Sequence, residues 1–279
     1  MRPIEVKANG KINLTLRVLY KREDGFHEIE SIFQEIDFAD TLHLSRSNEI
    51  RFSSDYPQFA MEDNLCVKAA RLLQKRFNIP GLDIRLEKRI PIGSGLGGGS
   101  SNAAAVLQAG MQLYEIQSDC REIEAMAARL GSDVPFFLKG KTAYVWGRGE
   151  FLKTIDLTTQ YHILLILPKI EISTTWAYKN MKLTLTKKST DYKFRSFMFY
   201  KLSVEDFKRE FQNDFEEIVF KARPELGIMK NTLYTVGAEY ASLSGSGASL
   251  FGVFSSKDSA KSAYNELNKN FSCCLVNPV

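Results

Sequence analysis

The residues best suited to chemistry form a glycine-rich loop, residues 91–101, which reads PIGSGLGGGSS. Its members are Pro91, Ile92, Gly93, Ser94, Gly95, Leu96, Gly97, Gly98, Gly99, Ser100 and Ser101. Glycine lets successive backbone amides turn inward without a side-chain clash, and the Ala-rich segment that follows predicts a helix whose N-terminal N–H groups attract an anion. The loop therefore predicts a phosphate-binding site, with a flexible linker or a tight turn as the alternative.

Two familiar nucleotide motifs do not account for this loop. A Walker A loop requires Lys and then Ser or Thr after its last glycine, whereas Gly98 is followed by Gly99. Gly93, Gly95 and Gly98 satisfy the GxGxxG pattern of dinucleotide-binding folds. However, the preceding strand carries the charged run RLEKR, which a parallel strand buried on both faces would not tolerate. The loop is therefore expected to bind phosphate in a different fold.

The elements that must position the loop mix strands and helices without strict alternation, which predicts an α+β fold. The predicted strands are Arg2–Val18, Glu28–Asp37, Asp40–Ser45, Asp83–Ile92, Thr142–Trp146, His162–Pro168, a strand–loop–strand within Ala241–Phe254, and a short terminal strand. The predicted helices are Asp63–Phe77, Ser100–Tyr114, Asp119–Leu130, a start at Ser132–Pro135, Arg223–Tyr234 and Lys257–Asn268. The first segment is predicted to be a strand, with a hairpin as the alternative because Asn9-Gly10 is a turn signal, and Ser118 is the predicted cap of the helix Asp119–Leu130.

Length and pattern predict two domains. The chain has 279 residues, more than the roughly 100–200 of a usual domain. Periodicity loosens near residues 156–160, so we expect an N-terminal domain at 1–157 and a C-terminal domain at 158–279. Residues 182–200 show mixed polarity and little periodicity, which predicts a surface insertion.

Composition excludes several classes of protein. Lys and Arg number 37 against 33 Asp and Glu, and because they are scattered, small anionic ligands explain the excess better than nucleic acid. The four cysteines show neither CxxC spacing nor His partners, so we expect no metal site and no disulfide framework. No apolar run approaches the roughly 18–20 residues that span a bilayer, and no signal peptide is evident. We therefore expect a cytoplasmic protein without membrane association.

Several motifs in a fixed order resemble the GHMP kinases, which include galactokinase and the homoserine, mevalonate and phosphomevalonate kinases. They are KINLTL at Lys11–Leu16, KREDGFHEI at Lys21–Ile29, EDNL at Glu62–Leu65, GLGGGSSNAA at Gly95–Ala104, LGSDVPFF at Leu130–Phe137 and LSGSGASLF at Leu243–Phe251. The resemblance covers nearly the whole chain. It implies a two-lobe α+β fold, with an N-terminal lobe like ribosomal protein S5 and a ferredoxin-like C-terminal lobe.

The resemblance also implies a function. Within the family, the motifs most resemble those of kinases that use ATP to phosphorylate the 2-hydroxyl of a cytidine-diphosphate methylerythritol. This reaction belongs to the non-mevalonate route to isoprenoid precursors. Mg²⁺ is expected to arrive with ATP, because the sequence offers no acidic cluster for a metal cage. The expected partner is this small-molecule substrate, and the expected protein is a monomer or weak homodimer.

Two residues are the catalytic candidates. Asp133 lies two residues after Gly131, at a predicted helix start, and could orient the attacking hydroxyl or accept its proton. Lys11 lies on the first strand, and by resemblance it could polarise that hydroxyl and neutralise the moving phosphoryl charge. Without the resemblance, a helix cap and a solvated strand lysine are the ordinary interpretations.

By resemblance, further residues hold the two substrates. The nucleotide side comprises the glycine loop with Asn64, Leu65 and Lys88. The acceptor side comprises Asn13, Phe26, His27 and a second glycine loop, Ser244, Gly245, Ser246 and Gly247. An aromatic face at Phe26 can stack on a base while the imidazole of His27 bonds its edge. The family usually carries Tyr in place of Phe26 and Gly in place of Ser94.

Three alternatives remain open. Another GHMP kinase with a different acceptor alcohol is the nearest, and Phe26 with His27 favours the cytidylyl acceptor. A non-catalytic nucleotide or RNA binder would not need both Lys11 and Asp133. A decarboxylase that phosphorylates its substrate transiently would release carbon dioxide, so analysis of the product distinguishes it.

Overall fold

The computed structural model describes residues 3–56, 63–157, 160–181 and 203–279. The strands in these ranges are β1 Ile4–Lys21, β2 His27–Ser47, β3 Arg51–Ser54, β4 Gly81–Glu87, β5 Thr142–Gly147, β6 Phe151–Thr154, β7 His162–Ile166, β8 Tyr240–Leu243, β9 Leu250–Phe254 and β10 Cys273–Val276. The helices are α1 Leu65–Phe77, α2 Gly98–Leu113, α3 Cys120–Leu130, α4 Val134–Lys139, α5 Thr174–Asn180, α6 Val204–Glu210, α7 Glu216–Ala222, α8 Pro224–Thr235 and α9 Lys257–Leu267. The insertion predicted at residues 182–200 lies outside the described residues.

The chain forms two compact units. The first comprises Met1–Gly10, Phe38–Ile92 and Gly97–Gly140, and the second comprises Lys11–Asp37, Gly93–Leu96 and Lys141–Val279. The long strands β1 and β2 each contribute residues to both units, and so does the glycine loop. The first half of that loop, Gly93–Leu96, therefore belongs to the second unit, and the half that starts at Gly97 belongs to the first.

The first unit packs helices against strands. In it, β4 pairs antiparallel with β2 over Thr41–Ser47 and parallel with β3. Helix α2 packs on α1, α3 and α4, and its buried face is built largely of small residues, which lets these helices approach closely. The core beneath them includes the fully buried residues Leu42, Leu73, Leu82 and Val106.

The second unit contains an antiparallel sheet with the strand order β10-β7-β9-β8. Its strands are short and almost wholly apolar, with β9 buried at all five positions, so the sheet forms a core with α7, α8 and α9. In the same unit β2 pairs with β5, and β5 pairs with β6. The loop between β8 and β9 is the second glycine loop.

Most predicted elements are present, and two local predictions are wrong. The first segment is a strand and not the alternative hairpin, because pairing with β2 keeps Asn9-Gly10 extended. Strand β2 is one unbroken strand where two were predicted. The cap of α3 is Asp119, whose carboxylate accepts from the Arg121 amide at 3.0 Å, while Ser118 instead donates to Glu122.

Several elements carried no prediction. Strands β3 and β6 have only four residues each, and helices α5, α6 and α7 have seven each, too short for a clear periodicity. Helix α6 does open with a capping box between Ser203 and Asp206, which is readable in the sequence. None of the helices in the described ranges has the length and apolar character needed to cross a membrane.

Candidate active site

The first half of the glycine loop, Gly93–Leu96, packs against the second glycine loop. The hydroxyl of Ser244 donates to the Gly95 carbonyl at 3.0 Å, and the amide of Ser249 donates to the Ser94 carbonyl at 3.0 Å. Gly95 has φ +76°, and a Cβ atom there would lie 2.0 Å from the Ser244 carbonyl oxygen. Only glycine fits this position, so the two predicted loops form one backbone-lined surface in the second unit.

Lys11 and Asn13 lie against this surface. The Lys11 amide donates to the Leu96 carbonyl at 2.9 Å, and its ammonium donates to Asn13 Oδ1 at 2.5 Å. A Cβ atom on Gly245 would lie 3.3 Å from the same Oδ1. Both side chains are nearly inaccessible to solvent, with Lys11 4% and Asn13 1% exposed. A cation fixed in this way can neutralise charge on a phosphoryl group without reorganising first.

Phe33 and Ser31 hold the side chains of Lys11 and Asn13 in place. The Lys11 ammonium lies 4.5 Å from the centroid of the Phe33 ring, a cation–π contact. The Asn13 amide nitrogen donates to Ser31 Oγ at 2.9 Å, and Ser31 Oγ in turn donates to the Thr15 carbonyl at 2.5 Å. The Lys11 ammonium and the Asn13 amide are therefore held in defined orientations by strands β1 and β2.

The second half of the loop opens helix α2 in the first unit. Gly97 is the N-cap residue, with φ 72°, and the Ser101 amide makes the first intrahelical bond, to the Gly97 carbonyl at 2.9 Å. The amides of Gly98, Gly99 and Ser100 precede that bond and have no acceptor within the helix. This end of α2 therefore has the geometry of an anion site.

Asn64 and Leu65 begin helix α1, near this end of α2. Asn64 caps α1 by accepting from the Cys66 amide at 2.8 Å. Leu65 Cδ1 would lie 3.6 Å from a Cβ atom on Gly99, so the leucine is a close neighbour of the glycine loop. The structure thus brings Leu65 to the loop, and it shows Asn64 as the cap of α1.

Lys88 also lies beside the loop, in a buried ion pair with Asp40. The ammonium donates to Asp40 Oδ2 at 2.5 Å, and the two side chains are 6% and 0% exposed. A Cβ atom on Gly98 would lie 3.0 Å from Lys88 Nζ. Asp40 carries no functional signal in the sequence, because nothing in the sequence pairs it with a lysine 48 positions further along the chain.

Asp133 is the N-cap residue of α4, with Pro135 in the first turn, as the sequence predicts. Its side chain makes no capping hydrogen bond to that helix. Gly131 precedes it, and a Cβ atom there would lie 3.9 Å from Ser100 Oγ. The segment that carries Asp133 therefore lies next to the phosphate loop within the first unit.

Phe26 and His27 lie at the turn between β1 and β2, where Phe26 is 51% exposed. The guanidinium of Arg148 lies 4.8 Å from the Phe26 ring centroid. The His27 ring stacks on Tyr178, with centroids 4.7 Å apart and planes at 15°. Burial, and secondly the charge of Lys21, lower the pKa of His27, so the imidazole stays neutral near neutral pH.

Arg148 and Tyr178 are functional candidates that sequence reasoning missed. Arg148 lies in the Gly-Arg-Gly turn after β5, and Tyr178 lies in α5. The Gly-Arg-Gly sequence is typical of a turn, and α5 has a sequence signal in Ser173, which caps it by accepting from the Trp176 amide at 3.3 Å. Neither signal predicts that Arg148 lies beside Phe26 or that Tyr178 lies beside His27.

Comparison with known proteins agrees with this geometry. Residues 64–141 match the model of the GHMP kinases N terminal domain, and residues 199–273 match that of the GHMP kinases C terminal. A relative from Pelodictyon phaeoclathratiforme, named 4-diphosphocytidyl-2-C-methyl-D-erythritol kinase, is 38% identical over 100% of this chain and 98% of its own. The chain belongs to the GHMP kinase family. It is therefore a phosphotransferase.

Solved GHMP kinase structures agree with the described fold. A crystal structure of a 4-(cytidine 5'-diphospho)-2C-methyl-D-erythritol kinase matches with a TM-score of 0.82 and 31% identity, covering 99% of this chain and 100% of the other. Homoserine kinase from Cytophaga hutchinsonii matches with a TM-score of 0.76 at 18% identity, covering 100% and 95%, and so supports the fold alone. The predicted α+β GHMP kinase fold is confirmed.

GHMP kinases use ATP as the phosphate donor, and one feature of this chain fits a phosphate group. The N-terminus of α2 offers backbone amides that have no acceptor within the helix, together with positive potential. In the described ranges, no group of three or more His, Cys, Asp or Glu side chains could hold a metal ion.

Proposed function

We propose that this GHMP kinase transfers the γ-phosphate of ATP to the 2-hydroxyl of 4-diphosphocytidyl-2-C-methyl-D-erythritol, in the non-mevalonate route to isoprenoid precursors. The contact between Gly93–Leu96 and Ser244–Gly247, with Lys11 and Asn13 against it, carries the proposal. Two glycine loops lined by backbone suit a substrate rich in phosphate groups. The full-length relatives that bear this kinase name support the same acceptor.

The nucleotide is proposed to bind at the glycine loop, Pro91–Ser101. The free amides at the start of α2 hold its phosphates, and Lys88 lies close enough to add its charge. Leu65, the neighbour of Gly99, and Asn64 edge the adenine. Mg²⁺ would arrive with ATP and would neutralise charge on its phosphate groups.

Catalysis is proposed to need one carboxylate and one ammonium group. Asp133 orients the attacking hydroxyl and takes up its proton as the oxygen–phosphorus bond forms. Lys11 neutralises charge on the transferred phosphoryl group, and its hydrogen bond to Asn13 fixes the ammonium for that role. The bond from the γ-phosphorus to the β–γ bridging oxygen breaks, and ADP leaves.

The cytidylyl part of the acceptor is proposed to bind at Phe26 and His27. Neutral His27 can accept or donate one hydrogen bond at the edge of a base, and its stacking on Tyr178 fixes the ring plane. Arg148 covers one face of Phe26 and brings a positive charge suited to the diphosphate. Asn13 and the loop Ser244–Gly247 hold the diol and diphosphate.

We also propose the domain division at 1–157 and 158–279, with ATP bound by the N-terminal domain. The two family models, which match residues 64–141 and 199–273, fall on either side of this boundary. The protein is proposed to work in the cytoplasm as a monomer or weak homodimer, and to bind neither nucleic acid nor membrane.

Purified protein is incubated with MgATP and a panel of acceptors: the cytidylyl alcohol, mevalonate, homoserine and galactose. ADP release and the mass of the product are followed together. We expect turnover of the cytidylyl alcohol alone. Asp133→Asn should lower kcat by about 10²–10⁴-fold, the usual contribution of a positioned acid–base group. Asp119→Asn is the matched control, because Asp119 also occupies the N-cap position of a helix of the first unit, and it should leave kcat unchanged.

The outcomes separate the alternatives. Turnover of another alcohol in place of the cytidylyl compound would overturn the acceptor assignment and keep the family. Release of carbon dioxide and inorganic phosphate, with the transferred phosphoryl group not retained in the product, would identify a decarboxylase. ATP binding without turnover of any acceptor would contradict an enzymatic role and favour a nucleotide-binding protein.

A further inference from the structure

The buried carboxylate of Asp40 collects four hydrogen bonds around the start of the phosphate loop. Its Oδ1 accepts from the amides of Arg89 and Ile90, both at 2.7 Å. Its Oδ2 accepts from Lys88 Nζ at 2.5 Å and from Asn102 Nδ2 at 3.0 Å. Asp40 is fully buried and lies on β2, so one strand residue ties together the segment before the loop and the helix after it.

The ion pair places an ammonium group under the first turn of α2. Lys88 leaves the end of β4 with its side chain 6% exposed, and its Nζ would lie 3.0 Å from a Cβ atom on Gly98. Gly98 is the first residue of α2, where the free backbone amides favour an anion. The ammonium and these amides therefore lie at the same helix end.

Stability alone does not explain this pair. A buried ion pair contributes little net stability compared with apolar residues of the same volume, because both charges lose their hydration. The cluster also leaves Asn102 Oδ1 buried with no hydrogen-bond partner in the part of the chain that the structure describes, which is a further cost. A costly charged cluster beneath a phosphate site is expected where its charge is used.

We propose that Asp40 is a positioning residue of the ATP site, which holds Lys88 Nζ beneath the first turn of α2. The ammonium and the N-terminal amides of α2 then act on the same phosphate group. This inference rests on the proposed use of ATP and adds a residue, Asp40, that acts through Lys88. Asp40 itself touches neither substrate.

Two variants test the positioning role. Asp40→Asn keeps the shape and the acceptor for the two backbone amides, but it removes the charge that holds Lys88. Asp40→Asn combined with Lys88→Met removes both charges. In each, the new side-chain amide N–H can find an acceptor in Asn102 Oδ1. The matched control is Arg76→Met with Glu122→Gln, which removes an exposed ion pair of the same unit.

Binding of ATP is measured by titration calorimetry, and folding by thermal melting. We expect both Asp40 variants to bind ATP about tenfold more weakly than the wild type, and equally so, because Lys88 contributes only while it is held. The double variant should melt at a higher temperature than Asp40→Asn, since it leaves no uncompensated buried charge. In turnover, its KM for ATP rises, while kcat and the acceptor KM change by less than about twofold.

Each outcome tests a different part of the inference about Asp40 and Lys88. A double variant that binds ATP as tightly as the wild type would overturn the inference, because the pair would then be structural only. Weak binding by the double variant with unchanged binding by Asp40→Asn would show that Lys88 acts without being positioned. If Asp40→Asn does not fold, the double variant and the control still decide whether the pair serves ATP. A wild-type protein that does not bind ATP would overturn the proposed function itself.

Discussion

The two halves of the glycine loop are held by different kinds of neighbours. Around Gly95, in the second unit, the nearest atoms are backbone: the carbonyl groups of Ser244 and Gly247. Around Gly98, in the first unit, they are side-chain atoms, namely Cγ2 and Cβ of Ile90 and Nζ of Lys88. Backbone held by its own hydrogen bonds cannot move aside, whereas a side chain can be displaced slightly within its packing.

This difference separates two ways of fixing a phosphate site. The first half is shaped by contact with a loop that is distant in the sequence, so its conformation depends on the second glycine loop. The second half is shaped by helix α2 and by local side chains, including the Lys88–Asp40 pair. Substitutions in the two halves should therefore differ in size and even in sign.

Gly95→Ala should have the largest effect. The added methyl group would overlap the Ser244 carbonyl at 2.0 Å, and φ +76° is a strained conformation for alanine. We expect a loss of about 3–5 kcal/mol in the free energy of unfolding, measured by urea denaturation, and loss of ATP binding.

The control for Gly95→Ala separates the effect of the overlap with the Ser244 carbonyl from the effect of backbone strain. Gly237 has φ +95° and no atom within 4 Å of a Cβ position, so Gly237→Ala should cost only the backbone strain, about 1–2 kcal/mol. Equal losses in the two variants would mean that the contact between the glycine loops contributes nothing.

Gly98→Ala should have an intermediate effect. Its methyl group would meet Ile90 Cγ2 at 2.9 Å and Lys88 Nζ at 3.0 Å, which are held by side-chain packing and by the ion pair with Asp40 and not by backbone hydrogen bonds, so that a small displacement relieves the crowding. The helical gain of alanine over glycine offsets part of this crowding, so we expect a net loss of about 1–2 kcal/mol in urea denaturation. A loss as large as that of Gly95→Ala would contradict the distinction between side-chain and backbone neighbours.

Much of the fold could be predicted from the sequence, because hydrophobic periodicity reports which face of an element is buried. Helix α1 and strand β4 are predicted in this way. Pairing between strands overrides some local signals. Asn9-Gly10 is a strong turn signal in isolation, yet Gly10 is buried inside β1 and stays extended in the sheet.

The types of residue in the site could be predicted from the sequence, but the contacts between these residues could be predicted less well. The two glycine loops stand out by composition, but the hydrogen bond between Ser244 and Gly95 joins residues 149 positions apart, and periodicity carries no such information. The same holds for Lys88 and Asp40, which are 48 positions apart. Glycine content predicts a phosphate loop, whereas tertiary structure decides what each glycine must avoid.

Ser244→Ala should have a smaller effect than either glycine variant. It removes the hydroxyl that donates to the Gly95 carbonyl and keeps the backbone contact that shapes the loop. We expect a loss of about 1 kcal/mol, the net value of one hydrogen bond, measured by urea denaturation. The control is Ser249→Ala, because Ser249 Oγ is buried without a hydrogen-bond partner in the described residues, so its removal should cost nothing. A larger loss at Ser249 than at Ser244 would reverse the assignment of which serine connects the loops.

Gly99→Ala should have the smallest effect, and the opposite sign. Its methyl group would meet only Leu65 Cδ1, at an ordinary contact distance of 3.6 Å, and the residue already has helical geometry in the first turn of α2. Alanine loses less conformational entropy than glycine on entering a helix, so we expect the protein to gain about 0.5–1 kcal/mol in urea denaturation. A gain at Gly99 beside a loss at Gly98 would show that the second half of the loop is limited by particular side chains, since the two glycines share one helical turn. A loss at both positions would instead mean that the start of α2 has no room for any side chain, and the two halves of the loop would then be alike.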